Sequence, residues 1–305
     1  MIELALWLGP LLVIALGVFG SAWLLDLMLR RRSAATRRTI WALAIVIALV
    51  LPLTRVVISP PVLALDRGLA SGFVVIWAGG ALMLLARLLH AGWVVRRWIV
   101  ASEPLRSPAW QADLAALRGE RERPAIELRR CSAIEGPVCV GLWRSRILIP
   151  DTMLELPTES RRSLLAHELA HALRSDAALL IVGALVRSLY WMVPLAWLAL
   201  RRLREQAENA ADDAVLGAGV ASSSYAGQLV ALARAQLSAT GLRERVLAIL
   251  DAQRPRSASL ACVPRWHAAG LVGLAVLLAS MVTACEARSD RPQSDRSPSA
   301  TITRQ

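Results

Sequence analysis

The stretch SLLAHELAHALRSD, residues 163–176, holds two histidines four apart with a glutamate directly after the first. On a helix, residues at that spacing lie on one face about one turn apart. Two imidazoles so placed reach a single metal ion, and Glu168 between them reaches a water beside that ion as general base. Zinc lowers the pKa of such a water to about 7, so a carboxylate can take its proton at neutral pH. The chain has 4 histidines in all, which makes chance a poor account of His167 and His171 at this spacing. A catalytic zinc needs a third protein ligand. Downstream, REQAENAADDAVL places Glu205, Glu208, Asp212 and Asp213 on an expected helix. Glu208 is the donor the site lacks. Asp212, one turn on, is spaced to accept an N–H from a ligand histidine and fix its tautomer. Asp176, five residues after His171, is a second carboxylate for that role, or else a helix-end carboxylate. His90 and His267 read as interfacial or core histidines rather than ligands.

The elements that must carry these residues belong to a membrane protein. The chain is 56% hydrophobic with mean hydropathy +0.49, too apolar for an ordinary soluble domain. Leu4–Leu25, Thr39–Ser59 and Leu69–Val95 are each long and apolar enough to span a bilayer. A fourth run, Ala268–Cys285, is a further span. MIELALWLGP has no basic start, so the first run is a span rather than a cleaved signal. The net charge of +12 is carried by arginine alone. These arginines flank the apolar runs, as in cytoplasmic loops, so direct nucleic-acid binding is not expected. Arg30, Arg31, Arg32, Arg37 and Arg38 crowd the first loop, and Arg96 and Arg97 close the third span. That bias puts the N-terminus outside and the histidine pair in the cytoplasm. The expected divisions are a three-helix membrane region, 1–96; a cytoplasmic domain, 97–265; a fourth span, 266–285; and a short extracytoplasmic tail, 286–305, too polar to form a core.

Within the cytoplasmic region, PAIELRRC and VCVGLWRSRILIP read as strands, being rich in Val, Ile and Leu and bounded by Pro and Gly. A helix follows from Thr158, with Thr158 or Ser160 as its cap. Ala177–Leu200 is apolar but broken by Arg187 and Pro194. A buried core helix or an interfacial helix suits it better than a kinked span. Arg201–Leu216 and Ser222–Leu237 are further helices. Cys131 and Cys139 lack metal spacing and read as reduced core or strand residues. VTAC, residues 282–285, reads as a small-residue helix end rather than a lipidation site at Cys285.

Three N-terminal spans, the HELAH helix and the downstream ENAADDAV together resemble the BlaR/MecR family of integral-membrane zinc metalloproteases, antibiotic-sensing transducers whose action destroys a repressor. IEGPVCVGLWRSRILIP, with Pro137, Gly141 and Pro150, is similar to that family's segment ahead of the zinc helix; SSYAGQLVALA and RERVLAILD are similar to its later helices. The resemblance implies a mainly α membrane protein with an α+β gluzincin-like domain inserted between spans three and four. It implies zinc on His167, His171 and Glu208, with Glu168 as base. It implies strands beside the site, where an extended substrate can pair with a strand edge. The partners implied are a protein substrate such as a helix-turn-helix repressor, or the chain itself, and membrane lipid; a second copy of the chain is a further candidate. The family's sensors carry a penicillin-binding domain after the fourth span, whereas only Glu286–Gln305 follows Cys285 here, so direct antibiotic sensing by this chain is not expected. Two other readings differ in class. HtpX and CAAX-processing proteases share HExxH and a downstream ExxxD, and a non-proteolytic scaffold would keep the metal for structure alone.

Overall fold

A computed structural model describes residues 2–55, 67–118, 126–141, 144–235, 242–251 and 253–256. The fourth apolar run, His267 and Cys285 lie outside the described residues.

Three long helices come first: α1 (Ile2–Met28), α2 (Ala34–Arg55) and α3 (Arg67–Ala101). Each is long and apolar enough to cross a membrane by length and composition. Their outer faces expose Val13, Leu16, Leu24, Val75, Ile76, Leu82 and Met83. In water this would be a large apolar patch; in lipid it is the expected surface. α2 begins before its apolar run and α3 ends after its own, in turns that carry Arg37, Arg38, Arg96 and Arg97.

Among the described residues, a small sheet and six further α-helices follow. The sheet has strands β1 (Glu103–Pro104), β2 (Glu127–Cys131), β3 (Val138–Val140) and β4 (Arg146–Pro150) in the order β1-β2-β4-β3. β2 and β4 are parallel, while β1 and β3 are antiparallel to their neighbours. The stretch expected as one strand, VCVGLWRSRILIP, is thus two strands, β3 and β4, folded onto each other. Gly141 ends β3 with φ of 113°, and a Cβ there would sit 2.1 Å from the Arg144 carbonyl oxygen, so only glycine fits. β1 and α4 (Pro108–Arg118) are additions to the expected elements; β1 is too short to show a period, whereas α4 carries a helical stripe of Trp110, Leu114 and Leu117 that packs into the sheet core.

α5 (Thr158–Arg174) is the helix of the histidine pair. Its N-cap is Pro157, with no side-chain cap bond, so neither Thr158 nor Ser160 caps it. Leu165, Leu169 and Leu173 form one stripe, buried against the sheet with Ile147, Ile149 and Trp110. That leaves His167 and His171 on the opposite face. At Ser175, in the left-handed region at φ 53°, the chain bends by 58° into α6 (Asp176–Leu189). By composition α5 and α6 together would also pass as one broken span.

Ala177–Leu200 is divided between α6 and α7 (Pro194–Gly217). Pro194 does not kink a helix; it starts one, where its missing N–H costs nothing. For the same reason Arg201–Leu216 is not a separate helix but the continuation of α7. α6 and α7 bury Val186, Ala199 and Leu203 in one core with Phe19, Trp41 and Ile45 of α1 and α2. This packing crosses the boundary expected near residue 96. α8 (Ser222–Ala235) and α9 (Leu242–Leu250) close the site from the other side, around Tyr225, Val215 and Ile249.

Candidate metal centre

α5 and α7 approach closely because the residues between them are small. Ala170, Ala211 and Ala214 pack together with essentially no exposure. The alanines of HELAHA and ENAADDA are the sequence signal for this contact. It brings Glu208 and Asp212, four apart on α7, against the histidine face of α5.

The Nε2 atoms of His167 and His171 lie 3.2 Å apart. Glu208 offers Oε2 at 3.5 Å from the first and Oε1 at 3.7 Å from the second. One ligand atom from each of the three residues falls within 4.8 Å of the others, the one such group of His, Cys, Asp or Glu among the described residues. Asp212 Oδ1 stands 3.2 Å from His167 Nδ1, and Asp176 Oδ2 2.8 Å from His171 Nδ1. Carboxylates thus stand at both Nδ1 atoms, and both Nε2 atoms point inward toward Glu208. Such an arrangement calls for a cation. Zinc–nitrogen bonds of about 2.0–2.1 Å in a tetrahedron imply nitrogens about 3.3 Å apart, close to the observed spacing. The residues fit a metal ion.

The charges agree. Burial works against a charged His167, yet the bonds with Asp212 and Glu208 outweigh it and hold it raised to about 9. Burial would raise Glu208, but its bond with His167 and the charges of His171 and Arg245 hold it down to about 2. Asp176 is likewise held at about 2 against burial, by His171, Arg38 and Arg174.

Glu168 lines the same cavity, of about 370 Å³, with Val138 and Cys139 of β3. It is 7% exposed. Cys131 and Cys139 are free thiols in strands, and burial pushes Cys139 well above the usual thiol range. His90 sits on α3 beside Trp93, ring centroids 5.8 Å apart, and does not join the ligand group.

A family model described as BlaR1 peptidase M56 matches residues 66–240, more than half of the chain. The chain belongs to this peptidase family. Across 150 residues it is 26% identical to the regulatory protein BlaR1 of Bacillus licheniformis. The match covers 48% of this chain and 24% of that relative, so the chain spans about a quarter of the curated relative's length. BlaR1-type peptidases are membrane proteases that generally depend on a metal, and this chain's apolar helices and ligand group accord with both properties.

Three side chains around this M56 site escaped the sequence reading. Tyr225 of α8 donates its hydroxyl to Asp212 Oδ1 at 2.8 Å and stands 3.2 Å from His167 Nδ1. Arg245 of α9 grips Asp212 with two bonds, of 2.9 and 2.7 Å, and reaches Glu208 at 3.1 Å. Arg38 of α2 pairs with Asp176. YAGQLV and RERVLA were visible only as helices; nothing in their spacing shows which residue faces the site.

Proposed function

We propose that the chain is a multi-pass inner-membrane zinc endopeptidase of regulatory type. Its site faces the cytoplasm, and it cleaves a helix-turn-helix repressor or itself. The observation that carries this reading is the convergence of His167, His171 and Glu208 beside Glu168 in a chain of a peptidase family. Bound zinc supplies Lewis acidity, polarising the scissile carbonyl and making water acidic near pH 7. The protein's own residues do the rest. Glu168 takes the proton from water and passes it to the leaving amine. Asp212 and Asp176 fix both imidazoles with Nδ1–H outward and Nε2 inward. Arg245 keeps Glu208 and Asp212 ionised. β3 is an outer strand of the sheet, and with Val138 and Cys139 in the cavity wall it suits an extended substrate adding as a further strand.

Orientation is supported by Arg38. It belongs to the arginine-rich first loop region and touches Asp176, so loop and site share one side, and arginine-rich loops stay in the cytoplasm. A regulatory substrate is supported by the regulatory name of the relative. The full chain, purified in detergent, should bind about one zinc. Glu168→Gln should keep the metal and lose cleavage of a co-expressed repressor and of the chain itself. Cleavage surviving in that variant would overturn the mechanism. Zinc bound by the wild type without any cleavage would favour a scaffold.

A further inference from the structure

Arg38 stands near the start of α2, outside the cavity, and the chemistry above makes no use of it. Its side chain is 8% exposed, a costly place for a charge unless partners meet it. Both partners belong to the helices of the site. Its Nη2 forms an ion pair with Oδ1 of Asp176 and donates to the backbone carbonyl of Arg174 at 3.1 Å. Arg174 is the last residue of α5, and terminal helix carbonyls have no partner within the helix. Asp176 spends its other oxygen, Oδ2, on the Nδ1–H of His171 at 2.8 Å. The contacts run unbroken from Arg38 to Asp176 to His171, across α2, α6 and α5.

We infer that Arg38 is a positioning residue for the metal centre, so that the second membrane helix sets the orientation and metal affinity of His171 through Asp176. The inference rests on the metal-site reading above. A carboxylate turns easily about its terminal torsion. The Arg38 charge beside Oδ1 favours the orientation that leaves Oδ2 on His171, although Oδ1 itself accepts no aligned hydrogen bond. Without Arg38, Asp176 is a carboxylate 2% exposed with Arg174 Nε, 3.5 Å from Oδ2, as its remaining arginine partner. The carboxylate then swings toward Arg174 and releases the ring. The neighbouring Arg37 provides a control within the same hairpin. It makes two bonds to Asp26 of α1, at 2.6 and 2.9 Å, and none to the site.

The test uses the full chain in detergent micelles. Zn²⁺ is titrated against a chromophoric chelator, and Co²⁺ is added to record its visible spectrum. Arg38→Ala should weaken zinc binding roughly tenfold or more, in the range of lost supporting contacts to ligand histidines, and should alter the cobalt spectrum. Arg38→Lys should fall between it and the wild type, since an ammonium keeps the charge near Asp176 but its shorter side chain cannot bring its nitrogen to where Nη2 meets both Asp176 and the Arg174 carbonyl. Arg37→Gln should lower thermal stability and leave zinc affinity unchanged. Wild-type affinity in folded Arg38→Ala overturns the inference. If Arg38→Ala does not fold, wild-type affinity in Arg38→Lys overturns it instead. Equal weakening by Arg37→Gln also overturns it, because the effect would then belong to hairpin stability. No zinc binding by the wild type overturns the metal-site reading, and this inference with it.

Discussion

His167 is held between two carboxylates, Asp212 on Nδ1 and Glu208 near Nε2, and its metal-free pKa is raised to about 9 by them. At neutral pH a metal ion must therefore displace a proton from this ring. Metal affinity should rise with pH and level off above about 9, since only above that pH is the ring already bare. Calorimetric titrations in two buffers of different ionisation enthalpy should show about one proton released per zinc at pH 7. Release of none would remove this account of the ring's charge. Asp212→Asn should lower the release, because it removes the stronger of the two bonds that favour the proton. At this scale the His167–His171 spacing was legible because it is local, and Glu208 because a site with two ligands needs a third. Tyr225 and Arg245 were not, since each reaches Asp212 from a different helix, and no spacing within α8 or α9 shows which residue faces α7.

The bend between α5 and α6 decides whether Asp176 can serve. On a straight helix a residue five positions after His171 points about 140° away from it, at about 100° per residue. The left-handed Ser175 turns the chain so that Asp176 comes back to Nδ1. Ser175 pays the strain of a side chain at φ 53°. Ser175→Gly should keep or slightly raise thermal stability, by up to about 1 kcal/mol, and preserve zinc binding. Ser175→Val should lose both, by roughly 1–2 kcal/mol in stability. Urea or thermal unfolding alongside zinc titration separates the two; a well-tolerated valine would remove the bend's role. Sequence spacing flagged Asp176 as a carboxylate near the helix end, but not the bend that makes it useful. Pro194 was similarly visible as a break, while its place at the start of α7 depends on where α6 ends in the fold.

For the molecule as a whole, composition legibly gave three apolar helices, yet not the core they share with the peptidase helices. Phe19, Trp41 and Ile45 pack with Val186, Ala199 and Leu203, contacts far apart in sequence. A fragment beginning at residue 97 leaves the buried face of α6 and α7 uncovered. It should aggregate or remain unfolded by circular dichroism, and co-expression with residues 1–96 should restore a soluble complex in detergent. A fragment that folds alone in water would show that the shared core is dispensable.

α7 is one uninterrupted rod from Pro194, just before it enters that core at Ala196, Ala199 and Leu203, to Gly217 beyond the metal centre. From Pro194 to Glu208 is about 21 Å at 1.5 Å per residue. A swing of about 3° at its root moves the far carboxylate by about 1 Å, several times the ±0.2 Å that metal–ligand bonds tolerate. Lever-arm geometry thus ties the place of the Glu208 carboxylate to the angle at which α7 sits among the membrane helices.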